Sequence, residues 1–215
     1  MKTNEKHLAD LKEIRNLMEK SSRFLSLSGL SGISAGIIAI VGALTAWIFF
    51  RSNNIYYDEF YHAVGKNPDV KVLRFLIMDG SLILLMAVGF GFYFSYRKAR
   101  RMNMLFWNPA SKRLLINLFI PLTTGGIVCI ILLFREGINL IIPMMLLFYG
   151  LGLINAGKYT QYNINYLGIT EIVTGLLAMI FIDHSFYFWI LGFGVWHILY
   201  GAIYYYRYER KEAVV

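Results

Sequence analysis

The chain has 215 residues, of which 57% are hydrophobic and only 16% charged, and its 21 Lys and Arg outweigh 13 Asp and Glu to give a net charge of +8. Its mean hydropathy of +0.53 is more apolar side chain than a soluble core can hide. Disorder, a secreted disulfide scaffold and an ordinary soluble enzyme are excluded on that ground, and the single cysteine, Cys129, cannot form an internal disulfide.

Residues 1–26 are polar, with four acids and six cations, and make a poor signal-peptide leader. Leu8, Leu11, Ile14 and Met18 fall on one face of a charged helix. That pattern predicts an amphipathic helix on the cytoplasmic side, lying under the bilayer or docking a partner protein. Six continuous apolar stretches follow, at about 27–50, 73–96, 113–134, 138–157, 166–182 and 185–206. A helix needs about 20 apolar residues to cross a bilayer, and a barrel would instead show alternating segments of about ten. The expected fold is therefore an all-α integral membrane protein: a 27–206 domain of six transmembrane helices in three hairpins (27–96, 113–157, 166–206) and a short tail, 207–215.

Sixteen Lys and Arg fall on the side of the two termini and five on the other, Arg51, Lys66, Lys71, Arg74 and Arg135. Both termini are thus expected in the cytoplasm, with the basic side on anionic lipid headgroups. The absence of a targeting peptide and the compact six-span design suggest a bacterial inner membrane. No basic stretch carries a nucleic-acid motif, and nucleic acid is not an expected partner.

The hairpins look like an internal repeat. Ser34-Ala35-Gly36-Ile37-Ile38-Ala39, Thr124-Gly125-Gly126-Ile127-Val128-Cys129 and Val173-Thr174-Gly175-Leu176-Leu177-Ala178 share a small or Thr residue, a Gly, two aliphatics and a small residue. In the even spans a Gly stands six residues before a cation: Gly91 and Arg97, Gly152 and Lys158, Gly201 and Arg207. From Gly126 to Gly152 and from Gly175 to Gly201 the spacing is 26 residues, whereas Gly36 and Gly91 are 55 apart because of the loop after Arg51. Parallel repeats of this kind can surround a pathway or simply pack. Residues 113–207, with Gly175-Leu176-Leu177-Ala178 and Gly201-Ala202-Ile203, resemble the paired-hairpin pattern of small six-span bacterial inner-membrane proteins of the HdeD type. The resemblance implies six spans in tandem hairpins. The charged N-terminal segment and the long first outer loop depart from the pattern, and the acid-stress role linked with that family is not carried by glycine spacing.

Within the first span Gly29, Gly32, Gly36, Ala39, Ala43 and Ala46 form a heptad seam of small residues, which suits intramolecular packing or a homodimer contact. Gly126 and Gly175 are the corresponding helix-packing positions in spans three and five. Ionisable residues at lipid depth are costly and need a reason. Glu171 and His197 stand about 12 and 13 residues either side of the turn at Asp183-His184, hence at one depth. In contact they would hold a proton, and imidazole is the side chain that titrates closest to neutral pH. Asn117 and Asn155 each lie 19 residues from Glu136 and suit an amide–amide bridge, while Asp79 has no evident partner. Asp58, Glu59 and His62 read as part of an interfacial aromatic stretch rather than a metal site.

No enzyme motif is present, and neither a cofactor nor a metal is expected. The reading the sequence favours is a non-enzymatic inner-membrane protein, an accessory subunit or a stress or sensory component. The alternative is a small-solute or proton-coupled transporter or channel using Glu171 and His197, with Asp79 as a third candidate if its span joins theirs.

Overall fold

The computed structural model describes residues 27–55, 70–135, 137–160 and 163–210, and the account that follows concerns these. The cytoplasmic helix expected over residues 1–26, the cluster Asp58, Glu59 and His62, Glu136 and the last five residues lie outside them. Helical rods occupy all six apolar stretches: α1 Gly29–Ser52, α2 Val70–Arg101, α3 Pro109–Phe134, α4 Ile138–Gly157, α5 Ile164–Ile180 and α6 Ile182–Glu209. Five are long and apolar enough to cross a membrane. The sixth, α5, has 17 residues, a rise of about 25 Å against a hydrocarbon core of about 30 Å.

Local chemistry sets several of the helix ends. Asn108 caps α3 by accepting from the Ser111 amide at 2.9 Å, and the Ser111 hydroxyl accepts from the Asn108 amide at 2.8 Å. Pro109 then takes the first helical position, where its missing N–H costs nothing. In the α5–α6 turn the fully buried Ser185 brings its hydroxyl 3.2 Å from the Ala178 carbonyl and 2.6 Å from that of Ile182. Two boundaries differ from the sequence reading. Arg97, Lys98, Arg100 and Arg101 belong to the last turns of α2 rather than to a connection, and α6 runs to Glu209 instead of ending at 206. In both cases the helix continues past the hydrophobic edge because Lys98 and Glu209 pair there, as described below.

The rods pack as an open series. α1 lies between α2 and α6; α6 also touches α5 and α4; α4 lies between α5 and α3. α2 and α3 therefore form the two edges, and the apolar window of α2 has no buried residue. Leu82, Leu84, Leu85, Val88, Phe90 and Phe92 stand on it exposed. A face of that extent is untenable in water and ordinary in lipid.

Close contacts are made by glycines. A Cβ on Gly29 would sit 2.5 Å from the Gly201 carbonyl oxygen, and one on Gly36 would sit 2.5 Å from that of Gly194. Gly32 faces Gly201 and the His197 carbonyl. The α4–α5 contact has the same form, with Gly150 and Gly168 each against the other's carbonyl at 2.6 and 2.8 Å, and Gly175 against Leu147. Small residues on both sides let main chains approach where hydrocarbon supplies no other drive. The seam of α1 is thus shared: its glycine half faces α6, and Ala46 joins Phe50 and Val72 in a cluster with Phe49 and Phe75, whose rings stack at 3.8 Å between α1 and α2.

Gly126 corrects the sequence reading, since nothing lies within 4 Å of a Cβ there. Its neighbour Gly125 is the packing residue, buried under the Phe148 side chain. On α4, Gly152 faces Leu118 of α3 while Gly150 makes the contact with α5.

Valine at Gly36 or Gly150 would drive a side chain into main chain, which cannot yield. Each substitution is expected to cost about 1–3 kcal/mol and to lower the thermal unfolding midpoint in detergent micelles. Gly126→Val should leave that midpoint unchanged; equal losses at all three positions would refute the assignment.

Candidate functional site

Most of the polar side chains at lipid depth are accounted for by main-chain needs. The exception is a cluster where α4, α5 and α6 meet. Glu171 of α5 is completely enclosed, and neither carboxyl oxygen makes a hydrogen bond to a described residue. Its Oε1 lies 3.3 Å from Nδ1 of His197 on α6, so the two residues that share a depth in the sequence also share a contact. The other imidazole nitrogen, Nε2, is 2.7 Å from the Tyr149 hydroxyl of α4, and the Tyr149 and His197 rings stack at 5.3 Å.

The imidazole's orientation follows from its partners. Nδ1 is 3.1 Å from the Gly192 carbonyl, which can only accept, so Nδ1 carries a hydrogen. Neutral His197 therefore accepts from Tyr149 at Nε2, and protonated His197 donates to it. The Nδ1 hydrogen is directed at Gly192, which leaves Glu171 close to the ring without a formed hydrogen bond. A lone carboxylate so enclosed would bear a desolvation cost of several kcal/mol. One proton on either Glu171 or His197 removes that isolated charge.

The backbone of α6 is built around this arrangement. Ile190–Trp196 is a π-helical segment, a wide turn that ends at His197. It brings Gly192 over the carboxyl, where a Cβ would stand 2.6 Å from Oε2 of Glu171. Only glycine leaves room for the carboxyl there. Trp196, which precedes His197 in the chain, donates its indole N–H to Thr174 of α5 at 3.1 Å.

Asp79 does not join the cluster. It lies on α2, which packs on α1, and its Oδ1 is 2.9 Å from the Thr45 hydroxyl of α1. Thr45 is also 2.7 Å from the Gly42 carbonyl. One hydroxyl hydrogen cannot fully serve both, so Thr45 divides it between the Asp79 carboxylate and the Gly42 carbonyl.

Asn117 and Asn155 meet, but not as two amides. The Asn155 side chain donates to the main-chain carbonyl of Asn117 at 2.9 Å, while the Asn117 amide turns back to the Arg113 carbonyl at 2.8 Å. The reason lies four residues on. Pro121 has no N–H, so the Asn117 carbonyl loses its helical partner. In hydrocarbon an open carbonyl has to be met from within the protein, and Asn155 of α4 meets it.

A second buried cluster ties one end of the bundle together. Lys98 at the end of α2 donates to the Leu27 carbonyl at 3.0 Å, the Tyr204 hydroxyl at 3.1 Å and Oε1 of Glu209 at 3.2 Å. Glu209 in turn accepts from the Gly29 amide at 2.8 Å and the Ser28 hydroxyl at 3.3 Å. A carboxylate from the last turn of α6 thus serves the open amides at the start of α1.

No family model, curated protein or solved structure matches the chain.

The account of Pro121 makes a coupling testable. Asn155→Leu should destabilise the protein by about 1 kcal/mol, the cost of an orphaned carbonyl. In a Pro121→Ala background, where the substituted residue regains a backbone N–H for the Asn117 carbonyl, the same change should cost only about 0.3 kcal/mol. Denaturation of the four chains in one detergent measures the difference, and equal costs in both backgrounds would count against the assignment.

Proposed function

We propose that this chain is a non-enzymatic, multi-pass membrane protein that acts as a proton-responsive component, a sensory or accessory subunit whose packing depends on the proton held by Glu171 and His197. The observation that carries the reading is the Glu171 carboxyl, fully buried at lipid depth, 3.3 Å from an imidazole and without a hydrogen bond among the described residues. A group so placed is tolerated in a membrane where it serves a purpose, and main-chain satisfaction, which explains Asn155 and Ser185, does not explain it.

The proton changes what the neighbours do. Loading His197 reverses the direction of its bond to Tyr149, and removing the proton from the pair leaves a bare carboxylate under Gly192. The three groups stand on α4, α5 and α6, so the change is felt by all three helices. An inner-membrane location with both termini in the cytoplasm agrees with the uneven distribution of Lys and Arg. Arg97, Arg100, Arg101, Lys112, Arg113, Lys158, Arg207 and Arg210, all at the end bearing the Lys98–Glu209 pair, are exposed. A proton-coupled transporter could use the same chain of groups, but the enclosure of the carboxyl by Gly192 and Leu146 favours a switch over a permeation site.

Trp196, adjacent to His197 in the chain and bonded to Thr174 of α5, supplies an intrinsic reporter. In liposomes of the full chain, tryptophan emission followed over about pH 4–9 should show a titration step that Glu171→Gln removes and Trp196→Phe silences. A step that persists in Glu171→Gln sinks the proposal. Proton flux in pyranine-loaded liposomes, abolished by the same substitution, would transfer the cluster to the transport reading.

A further inference from the structure

We propose that the groove between α3 and α4 is a binding site for an anionic phospholipid, with one acyl chain along the groove and the phosphate at Lys158. The inference is independent of the proton-responsive reading and needs only that the helices lie in a bilayer.

The groove has a volume of about 390 Å³ and a mainly apolar lining in which Pro121 and Thr124 of α3 face Phe148 and Leu151 of α4. That volume falls within the range of about 300–1,000 Å³ typical of sites for small ligands. Its lining offers an alkyl chain dispersion contacts and gives a polar ligand little to hold. The amide and ammonium groups gather at one end, where Asn155 and Lys158 line it, and the Thr124 hydroxyl is bonded back to the Ile120 carbonyl at 2.9 Å. The groove therefore presents an apolar trough with a cation at its mouth, the complement of an acyl chain bearing a negative headgroup.

The cation is positioned rather than merely present. Lys158 donates one of its three ammonium hydrogens to Oδ1 of Asn155 at 3.2 Å, and Asn155 is itself fixed by the hydrogen bond its Nδ2 donates to the Asn117 carbonyl. Pro121 is at the root of both features: it lines the groove, and it frees the carbonyl that anchors Asn155. Among the described residues no carboxylate pairs with Lys158, and its remaining ammonium hydrogens are available to phosphate oxygens. Arg113, exposed and four residues from Asn117 toward the same end, adds a second cation about 6 Å beyond the Asn117–Asn155 contact, close to the level of Lys158. A cation at the membrane surface favours an anionic lipid by about fivefold.

The test uses the full chain in detergent, delipidated and then offered equal amounts of dioleoyl phosphatidylglycerol and dioleoyl phosphatidylcholine, with bound lipid counted by native mass spectrometry. Wild type should retain the phosphatidylglycerol at least fivefold over the phosphatidylcholine. Lys158→Gln should reduce that preference about fivefold, and Lys158→Arg should restore it. Thr124→Phe, which fills the trough, should lose the tightest adduct of either lipid, with far-UV circular dichroism showing that the helices remain. Equal retention of the two lipids by wild type, or a preference unchanged in Lys158→Gln, overturns the proposal. So does release of the phosphatidylglycerol by millimolar inorganic phosphate, which would mark a site for free phosphate instead.

Discussion

Hydrocarbon offers no hydrogen bonds, and each main-chain group that a helix leaves open has to be met by another part of the chain. Much of the detail in this bundle answers that requirement. Pro121 opens the Asn117 carbonyl and Asn155 crosses from α4 to close it. The first amides of α1 are open, and Glu209 arrives from the far end of the sequence to accept from Gly29. The α5–α6 turn leaves the Ala178 carbonyl within reach of the buried Ser185 hydroxyl. Two of these remedies, Asn155 on Asn117 and Glu209 on Gly29, join residues 38 and 180 positions apart, so satisfying the backbone also determines which helices stand together.

The requirement also separates structural polar groups from a fully buried cluster that has no such explanation. Asn155 and Ser185 each replace a missing main-chain partner. Glu171 replaces none: it offers two acceptors where no described main-chain donor bonds to them, and a Cβ on Gly192 would crowd both its carboxyl and the Leu146 side chain. Helix packing alone would be served as well by an apolar side chain at 171. That the chain instead holds a carboxyl against an imidazole, on a π turn, is the physical basis for reading the cluster as functional.

What was legible in the sequence follows from how local each signal is. The spans are continuous apolar runs, so they could be found within a few residues. The short α5–α6 turn made Glu171 and His197 countable from a common origin, and counting brought them to one depth. The same method failed for Asp79 and Thr45, because the long segment between α1 and α2 supplies no origin from which both can be measured. Tyr149 was lost among 15 tyrosines, and Lys98 was weighed as one more positive charge when it is a buried hydrogen-bond donor. Gly126 illustrates the limit of pattern matching. A repeat aligned by composition cannot distinguish adjacent glycines, although they point about 100° apart around a helix, and the packing fell to Gly125. The amide–amide bridge was half right for a related reason: depth predicts that two side chains meet, and the backbone defect at Pro121 decides which atoms do.

The two buried clusters have α6 in common. His197 and Tyr204 are seven residues apart, two turns on one face, and one engages Glu171 while the other engages Lys98. Between and beside them the helix lies on α1 through Gly194 and Gly201, with main chain against main chain. Such a contact has no flexible side chains to absorb a displacement. If the wide turn at Ile190–Trp196 tightens or relaxes as the imidazole changes its bonding, the movement passes into the rod below it. It is then delivered to the end where Glu209 holds the start of α1 and the last turn of α2. The Glu171–His197 contact and the arrangement of three helices at one end thus share a single element, α6. The π turn at Ile190–Trp196 is the part of that element that meets the imidazole, through the Gly192 carbonyl.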